Sequence, residues 1–330
     1  MGQVLCFELP PSNLTKEFWQ ASQDGDMDKV GSLLDRGVDI HSKDRQQDRQ
    51  TALHRACLYG HTATASLLIE RGADVTGRDD KGWTALQKAC FNGHTATASL
   101  LIEKGADVNR GDNYQTTPLF MAALNGHTAT ASLLVEKGAD VKVKNNIGMT
   151  PLHGTGRYGH TATASLLIEK GADVTSGNNT EATALHLASA NNHTATASLL
   201  IESGAKVDCR DSDGTTALIM ASVGGHTATA SLLIEKGADV NVMNNVGSTA
   251  LQIAALAGHA DLASLLIEKG AEINASNKTG WTALHWACVY GRKDMAILLI
   301  ERGAAINTSD AEARTPLDLR PDWRDELVHV

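Results

Sequence analysis

Thirteen histidines and five cysteines are the residues of this chain whose chemistry could support metal binding, acid–base catalysis or nucleophilic attack. Seven of the histidines follow a glycine or an asparagine, and four follow a leucine. Histidines of each kind are separated along the chain by 33 residues or a multiple of 33. Side chains that recur in this way are better explained by a repeated scaffold than by convergence on one catalytic or metal-binding centre.

The cysteines and the short motifs lead to the same expectation. Cys57, Cys90 and Cys288 follow the same alanine in different copies of one pattern, and the sequence has no CxxC pair. A disulfide framework and a cysteine zinc site are therefore not expected, and a reducing cytoplasm or nucleus fits best. A glycine-rich phosphate loop, an HExxH helix and a nucleophile elbow are also missing. We predict a non-enzymatic protein with no catalytic residue, metal site, cofactor or small-molecule substrate.

The N-terminus contains a possible lipidation signal. Removal of Met1 would expose Gly2, and Cys6 stands where the acylation signal prefers serine or threonine. A myristoyl group on Gly2 and a palmitoyl group on Cys6 would together supply the two signals that stable membrane anchoring needs. A membrane-tethered adaptor is therefore the alternative to a purely soluble binding protein.

The elements that carry these residues follow a fixed period. Thr-Ala-Leu or Thr-Pro-Leu begins at residues 51, 84, 117, 150, 183, 216, 249, 282 and 315, a step of 33 residues without a slip. A constant period of about 33 residues predicts a stacked repeat array rather than two or three globular domains.

One copy can be interpreted physically. Thr51 is a good helix N-cap, and Gly60 predicts the end of the first helix. A second helix follows from residue 62 and ends at Gly72, a position that favours a left-handed conformation. A turn-rich segment, which we call the finger, then leads to the next threonine. One copy cannot bury its own apolar face, so several must stack.

The repeated phrases resemble the ankyrin repeat. Thr-Ala-Leu-His at 51–54, Gly-His at 60–61 and Gly-Ala-Asp-Val-Asn at 105–109 carry the resemblance. It implies an all-α solenoid of stacked helix–turn–helix units with β-hairpin-like fingers. It also implies that the recurrent histidines hold hydrogen bonds between neighbouring copies. We predict an N-terminal extension (1–12), an N-terminal capping half-repeat (13–42), eight full repeats (43–306) and a C-terminal capping partial repeat (307–330).

Six second helices depart from the family pattern. They read His-Thr-Ala-Thr-Ala-Ser-Leu-Leu, with small residues where the family tends to place larger aliphatic ones. Later copies recover size at Leu262, Met295 and Ile297. We therefore expect residues 51–240 to open more readily than residues 250–310, since lost buried methylenes lower stability.

Comparison of the copies predicts where a partner would bind. The second helix hardly changes between copies, whereas the finger and the end of the first helix vary, and the aromatic residues between the caps lie only there. The resemblance places these positions on a concave groove, and large aromatics are typical interface anchors. The alternative is that Trp281 and Trp286 only pack under a neighbouring finger. The predicted aromatic contacts are Tyr59, Trp83, Phe91, Tyr114, Tyr158, Trp281 and Tyr290.

Charge along the same edge is uneven. The four N-terminal fingers and first helices carry a basic excess, although the whole chain has a net charge of −9. We expect a protein partner to place an acidic segment there; the alternative is a solvated mixed surface. Nucleic acid is not expected, because the basic excess is diffuse and lacks a groove-reading motif. We further expect a cytoplasmic monomer. The predicted basic contacts are Arg45, Arg49, Arg55, Lys88, Lys142, Lys144 and Arg157.

Overall fold

The computed structural model describes residues 12–327 of the chain. Within that range the chain forms helix pairs, and each pair has a first and a second helix. The first helices are α1 (Asn13–Asp24), α3 (Ala52–Leu58), α5 (Ala85–Phe91), α7 (Pro118–Leu124), α9 (Pro151–Tyr158), α11 (Ala184–Ala190), α13 (Ala217–Gly224), α15 (Ala250–Ala257) and α17 (Ala283–Val289). The second helices are α2 (Met27–Asp35), α4 (Thr62–Glu70), α6 (Thr95–Glu103), α8 (Thr128–Glu136), α10 (Thr161–Glu169), α12 (Thr194–Glu202), α14 (Thr227–Glu235), α16 (Ala260–Glu268) and α18 (Lys293–Glu301).

The last repeat position is filled by shorter elements. Two 3₁₀ turns, Pro316–Asp318 and Pro321–Trp323, lead into α19 (Arg324–Leu327). Leu317 and Leu327 are buried, so this segment still covers apolar surface. The first turn is capped as in the other copies, because the Thr315 hydroxyl accepts from the Asp318 amide at 3.3 Å.

Threonine starts the first helices, as the sequence predicts. The Thr51 hydroxyl accepts from the His54 amide, and the Thr84 hydroxyl accepts from the Gln87 amide at 3.3 Å. The third helical residue completes the cap: Gln87 Oε1 accepts from the Thr84 amide at 2.8 Å. Both ends of this reciprocal cap satisfy a backbone N–H that would otherwise lack a helical partner.

The glycine between the two helices is required by its surroundings. Gly60 has a φ of +76°, in the left-handed region that glycine adopts without strain. A Cβ at this residue would also lie 2.5 Å from Nδ1 of His94 in the following copy. That histidine is held in place, since its Nε2 donates to the Leu58 carbonyl at 3.0 Å. The Gly-His phrase is therefore a close contact between neighbouring copies.

The core is built from the same few positions in each copy. Leu53 and Ala56 of α3 are buried, as are Ala65 and Leu68 of α4. Each fully buried leucine contributes about 1.5–3 kcal/mol by the hydrophobic effect. Helix α3 packs against α1 and α5 of the adjacent copies as well as against α4 of its own copy. The buried side chains therefore form a core that continues from copy to copy.

The chain divides into two compact units, one ending at Asn146 and one beginning at Ile147. In the first unit α1, α3, α5 and α7 pack in chain order, and in the second α9, α11, α13, α15 and α17 do so. The all-α repeat solenoid is thereby confirmed. The fingers are hairpin-like: antiparallel bridges join Asp44 to Gln50, Arg78 to Thr84 and Gly177 to Thr183.

Among residues 12–327, none of the helices combines the length and the hydropathy needed to cross a membrane.

Candidate interaction surface

The predicted tyrosines are among the most exposed large side chains of the described residues. Tyr59, Tyr158 and Tyr290 occupy one repeat position at the end of the first helix, and each is about half exposed, at 49%, 50% and 51%. Tyr114 lies at a fingertip and is 68% exposed. An exposed tyrosine offers a large apolar ring with a polar tip at low entropic cost, which suits an interface.

Trp83 and Phe91 form a half-buried pair in the first unit. Their ring centroids are 5.3 Å apart, and the Lys88 ammonium lies 4.5 Å from the Trp83 ring centroid. Both rings contact other side chains of the fold while keeping part of their surface accessible. The accessible part of each ring can add apolar area to a contact with a partner, while the rest of each ring packs within the fold.

Trp281 is held by the neighbouring finger in the second unit. Its indole N–H donates to Asp310 Oδ2 at 3.1 Å, and its ring lies 4.6 Å from Trp286 in an edge-on arrangement. Tyr290 continues the cluster, 5.9 Å from Trp286. This geometry agrees with the packing alternative for the Trp281 indole, while Tyr290 remains exposed.

Two of the predicted basic contacts are buried, contrary to the expectation from the sequence. Arg55 pairs with Asp44, and Lys88 pairs with Asp79 at 2.7 Å. Burial lowers the pKa of the Arg55 guanidinium, opposed by the charge of Asp44. Neither cation presents its charge to solvent, since each is compensated by a carboxylate of its own finger. Arg55 and Lys88 therefore do not belong to an accessible basic surface.

The remaining predicted cations are exposed. Arg45, Lys142 and Lys144 lie on fingers of the first unit. Arg49 lies 4.0 Å from the carboxylate of Asp80, a solvent-screened pair of small energetic value. In the second unit, the Arg157 guanidinium lies 5.9 Å from the Tyr158 ring.

Sequence reasoning missed a set of exposed aliphatic side chains. Each occupies a finger position or the end of a first helix. At the finger positions most other copies carry polar residues or glycine, so comparison of the copies could have found Ile147, Met243 and Val246. Isolated exposed apolar residues are ordinary, but several at equivalent positions are a signal of binding. The set comprises Ile147, Val223, Met243, Val246 and Val289.

Ten of the recurrent histidines form the inter-copy hydrogen bonds that the resemblance implies. In each bond Nε2 donates to a backbone carbonyl of an adjacent copy, at 2.8–3.3 Å. The bonded pairs are His54–Trp83, His61–Gln23, His94–Leu58, His127–Phe91, His153–Ala182, His186–Thr215, His193–Arg157, His226–Ala190, His259–Val223 and His285–Arg314.

The thiols of the described residues are poor nucleophiles. Burial raises the pKa of Cys57 and Cys90, and it raises the pKa of Cys288 to about 12. These thiols are protonated at neutral pH, and a protonated thiol neither attacks nor binds metal well. Within residues 12–327 no three histidine, cysteine or acidic side chains are grouped as a metal site would need. Gly2 and Cys6, the predicted acylation sites, lie outside the described residues.

Repeated helix pairs with variable fingers define a repeat protein whose variation is concentrated on one edge. A family model described as ankyrin repeats (three copies) matches residues 18–112, 109–178, 175–244 and 237–310, which is most of the chain. The chain therefore belongs to the ankyrin-repeat family, whose repeats are in general protein-interaction modules.

Relatives match over short stretches. The ankyrin repeat protein YahD of Escherichia coli is 43% identical over 67 residues, which is 20% of this chain and 32% of that protein. The ankyrin repeat-containing protein P1E11.10 of Schizosaccharomyces pombe is 38% identical over 71 residues, 22% of this chain and 33% of that protein. The potassium channel AKT1 of Oryza sativa is 36% identical over 63 residues, 19% of this chain and 6% of the channel. The match thus spans about a third or less of each relative's length.

Proposed function

We propose that this chain is a non-enzymatic adaptor that holds a protein partner on the surface formed by its fingers and first helices. The observation that carries the proposal is the repeated exposure of tyrosine at one position, in Tyr59, Tyr158 and Tyr290. A scaffold position that alternates between small or polar residues and half-exposed tyrosine is under no packing demand for an aromatic ring. Anchoring a partner gives the ring a role, since aromatic side chains dominate interface energies.

The test is a quantitative pull-down with the full chain from an extract of its own organism. The test variant replaces Tyr59, Tyr114, Tyr158 and Tyr290 by alanine. Met27→Ala is the matched control, because Met27 is a similarly exposed large side chain on a second helix. We expect at least one protein whose recovery falls tenfold or more with the tyrosine variant and is unchanged with the control. Equal recovery of every bound protein by all three chains would reject the surface.

The exposed cations of the first unit support a preference for an acidic partner segment. Arg45, Lys142 and Lys144 have exposed side chains, whereas the side chains of Arg55 and Lys88 are buried. Attraction between exposed charges is screened by salt, with a Debye length of about 10 Å at 0.1 M. Partner retention should therefore weaken several-fold between about 0.05 M and 0.3 M salt, and Lys142→Gln/Lys144→Gln should reduce that dependence. Retention that is insensitive to salt would contradict the acidic preference.

A further inference from the structure

Asparagine side chains tie three of the fingers to the copy that follows. Each of these carboxamides meets two backbone groups of that copy: Nδ2 donates to the carbonyl of the glycine that follows the second helix, and Oδ1 accepts from the amide two residues further on. The two distances are 3.2 and 2.9 Å for Asn109, 3.1 and 2.8 Å for Asn241, and 3.4 and 2.8 Å for Asn274. One carboxamide thus supplies both the donor and the acceptor that this place requires.

Thr76 occupies the asparagine position in the finger before α5 and does not make this bridge. Its hydroxyl donates instead to Asp74 Oδ1 of its own finger at 2.8 Å. The groups that correspond to those bonded by Asn109 are the Gly105 carbonyl and the Asp107 amide, and neither has a hydrogen-bond partner among residues 12–327. A short side chain therefore leaves free a donor and an acceptor that a carboxamide covers in other copies.

Thr76 and Asp107 both line a cavity of about 210 Å³, which we call the Thr76 cavity. Its walls include the apolar side chains of Val75 and Ala106. The lining residues are Val75, Thr76, Thr84, Ala106, Asp107 and Arg110. A glutamine or asparagine side chain matches this lining, because its methylene stem is apolar and its end is a carboxamide.

The backbone groups on either side of the free pair are already used. The Gly105 amide donates to the Ile102 carbonyl at 3.0 Å, and the Asp107 carbonyl accepts from the Arg110 amide at 3.3 Å. The Asn109 amide donates to the Asp107 carboxylate at 2.9 Å. A partner strand gains its affinity from a continuous row of free backbone groups, and this place offers a single pair. One carboxamide satisfies that pair completely.

Asp208 shows why a carboxylate is the poorer ligand. It stands at the asparagine position of another finger, and its two oxygens lie 3.3 and 3.1 Å from the Asp239 amide nitrogen. An ionised carboxylate has no proton to give to the glycine carbonyl. In the Thr76 cavity it would also meet the carboxylate of Asp107, and like charges repel. The chemistry of the Thr76 cavity therefore favours a neutral carboxamide.

We infer that the Thr76 cavity binds the primary carboxamide of a glutamine or asparagine side chain of a partner protein, with the Asp107 amide donating to its oxygen and the Gly105 carbonyl accepting from its nitrogen. This rests on the proposed function, to which it adds a residue type that the partner carries. Thr76→Asn should supply the same carboxamide from within the chain and thereby block the cavity.

The experiment uses the full chain and a phage-displayed library of random dodecapeptides, which is depleted on the Thr76→Asn chain and then selected on the wild type. Binding of the selected peptides is measured by fluorescence anisotropy, beside versions in which glutamine is replaced by glutamate and asparagine by aspartate. Thr76→Ser is the matched control, because it keeps a short hydroxyl side chain. Thr175→Asn is a second control that adds a carboxamide in another copy, where the Cys209 thiol lies 3.8 Å from the Thr183 hydroxyl.

We expect the enriched peptides to share a glutamine or asparagine, and their acidic versions to bind at least tenfold more weakly. Thr76→Asn should weaken binding at least tenfold and raise the urea midpoint, whereas Thr76→Ser and Thr175→Asn leave binding unchanged. The inference is overturned if no peptide survives the depletion, if the acidic versions bind equally well, or if the two controls weaken binding as much as Thr76→Asn does. A lower urea midpoint for Thr76→Asn also overturns it, because asparagine would then not bridge the two backbone groups.

Failure of this inference is distinguishable from failure of the proposed function. If the tyrosine variant loses a partner and the peptide selection fails, only the recognition of a carboxamide is rejected. If the tyrosine variant recovers every partner, the proposed function fails whatever the selection gives.

Discussion

His54, His186 and His285 are buried as neutral side chains that link neighbouring copies. The ring of His54 shows the arrangement: Nε2 donates to the Trp83 carbonyl at 3.0 Å, and Nδ1 accepts from the Thr51 hydroxyl at 2.8 Å. Burial lowers the pKa of His54 to about 4, and burial also lowers the pKa of His186 and His285. A proton on Nδ1 would remove the acceptor and place a charge in the core, so these residues favour the fold only while neutral.

Acid should therefore destabilise the protein through these histidines. A histidine whose folded pKa lies below its unfolded value of about 6.5 contributes fully above pH 6.5, and that contribution is lost as pH falls toward the folded pKa. The loss from His54 alone is on the order of 2–3 kcal/mol by pH 4. The triple variant His54→Gln/His186→Gln/His285→Gln should show a smaller fall in urea midpoint between pH 7 and pH 4.5 than the wild type.

Glutamine is the appropriate replacement because this chain already uses it at the same position. Gln87 Nε2 donates to the Thr116 carbonyl at 2.6 Å, and its Oε1 accepts from the Thr84 amide, so both links are kept without a titratable group. His41→Gln is the control, since His41 is exposed on a finger. Coincident pH profiles for the triple variant and the wild type would contradict the assignment.

The fingers are elements whose tips require a left-handed residue. Gly148, Gly214 and Gly247 fill that position with φ between +71° and +83°. Gln115 and Glu181 occupy it in other copies, each with a φ of +60°. A left-handed conformation costs a residue with a Cβ about 1–2 kcal/mol, whereas glycine adopts it freely but loses more entropy on folding.

Gln115→Gly and Glu181→Gly should each stabilise the protein by about 0.5–1 kcal/mol, because the relief of strain exceeds the entropy lost by glycine. The shift in urea midpoint at neutral pH measures this. Gly247→Ala is the reverse test: its Cβ would lie 2.9 Å from the Lys278 amide nitrogen, and we expect a lower midpoint. A lower midpoint for both glycine variants would show that the side chains of Gln115 and Glu181 stabilise their fingers.

Across the whole molecule, stability should vary along the chain with the filling of the second helices. Thr64 is buried at the position that Leu262 and Met295 fill in later copies. Hydroxyl pairs between second helices partly compensate, as in Thr62–Thr97 at 2.7 Å. Such a bond contributes about 0.5–1.5 kcal/mol, against about 2 kcal/mol or more for the apolar volume of a leucine.

We predict faster amide exchange in residues 51–240 than in residues 250–310, measured by hydrogen-exchange mass spectrometry on the intact chain. Local opening follows local contact energy in a repeat array, so the difference should appear copy by copy. Leu262→Thr should make the amides of its own copy exchange as fast as those of the copies that carry threonine at this position. Uniform protection along both stretches would exclude the gradient.

The role of a residue was predictable from the sequence when it depended on residues nearby in the chain, and not when it depended on tertiary contacts. Thr51 and Gly60 were assigned correctly because capping and left-handed turns depend on a few adjacent residues. Arg55 and Lys88 were misassigned to the accessible surface because their burial depends on how a finger folds over its own helix. Arg55 and Tyr59 are only four residues apart, yet the Arg55 side chain is enclosed and the Tyr59 side chain is exposed.

The sequence by itself determined the helix pairs, the period, the threonine N-caps of the first helices and the family, because each depends on local conformational preferences repeated many times. Only the tertiary structure decided the accessibility of each charge and ring on the varying edge. Whether a lysine faces solvent depends on a carboxylate brought to it by the fold, and whether a tryptophan is free depends on the next finger. Exposure is a property of neighbours distant in sequence, and a period alone does not specify those neighbours.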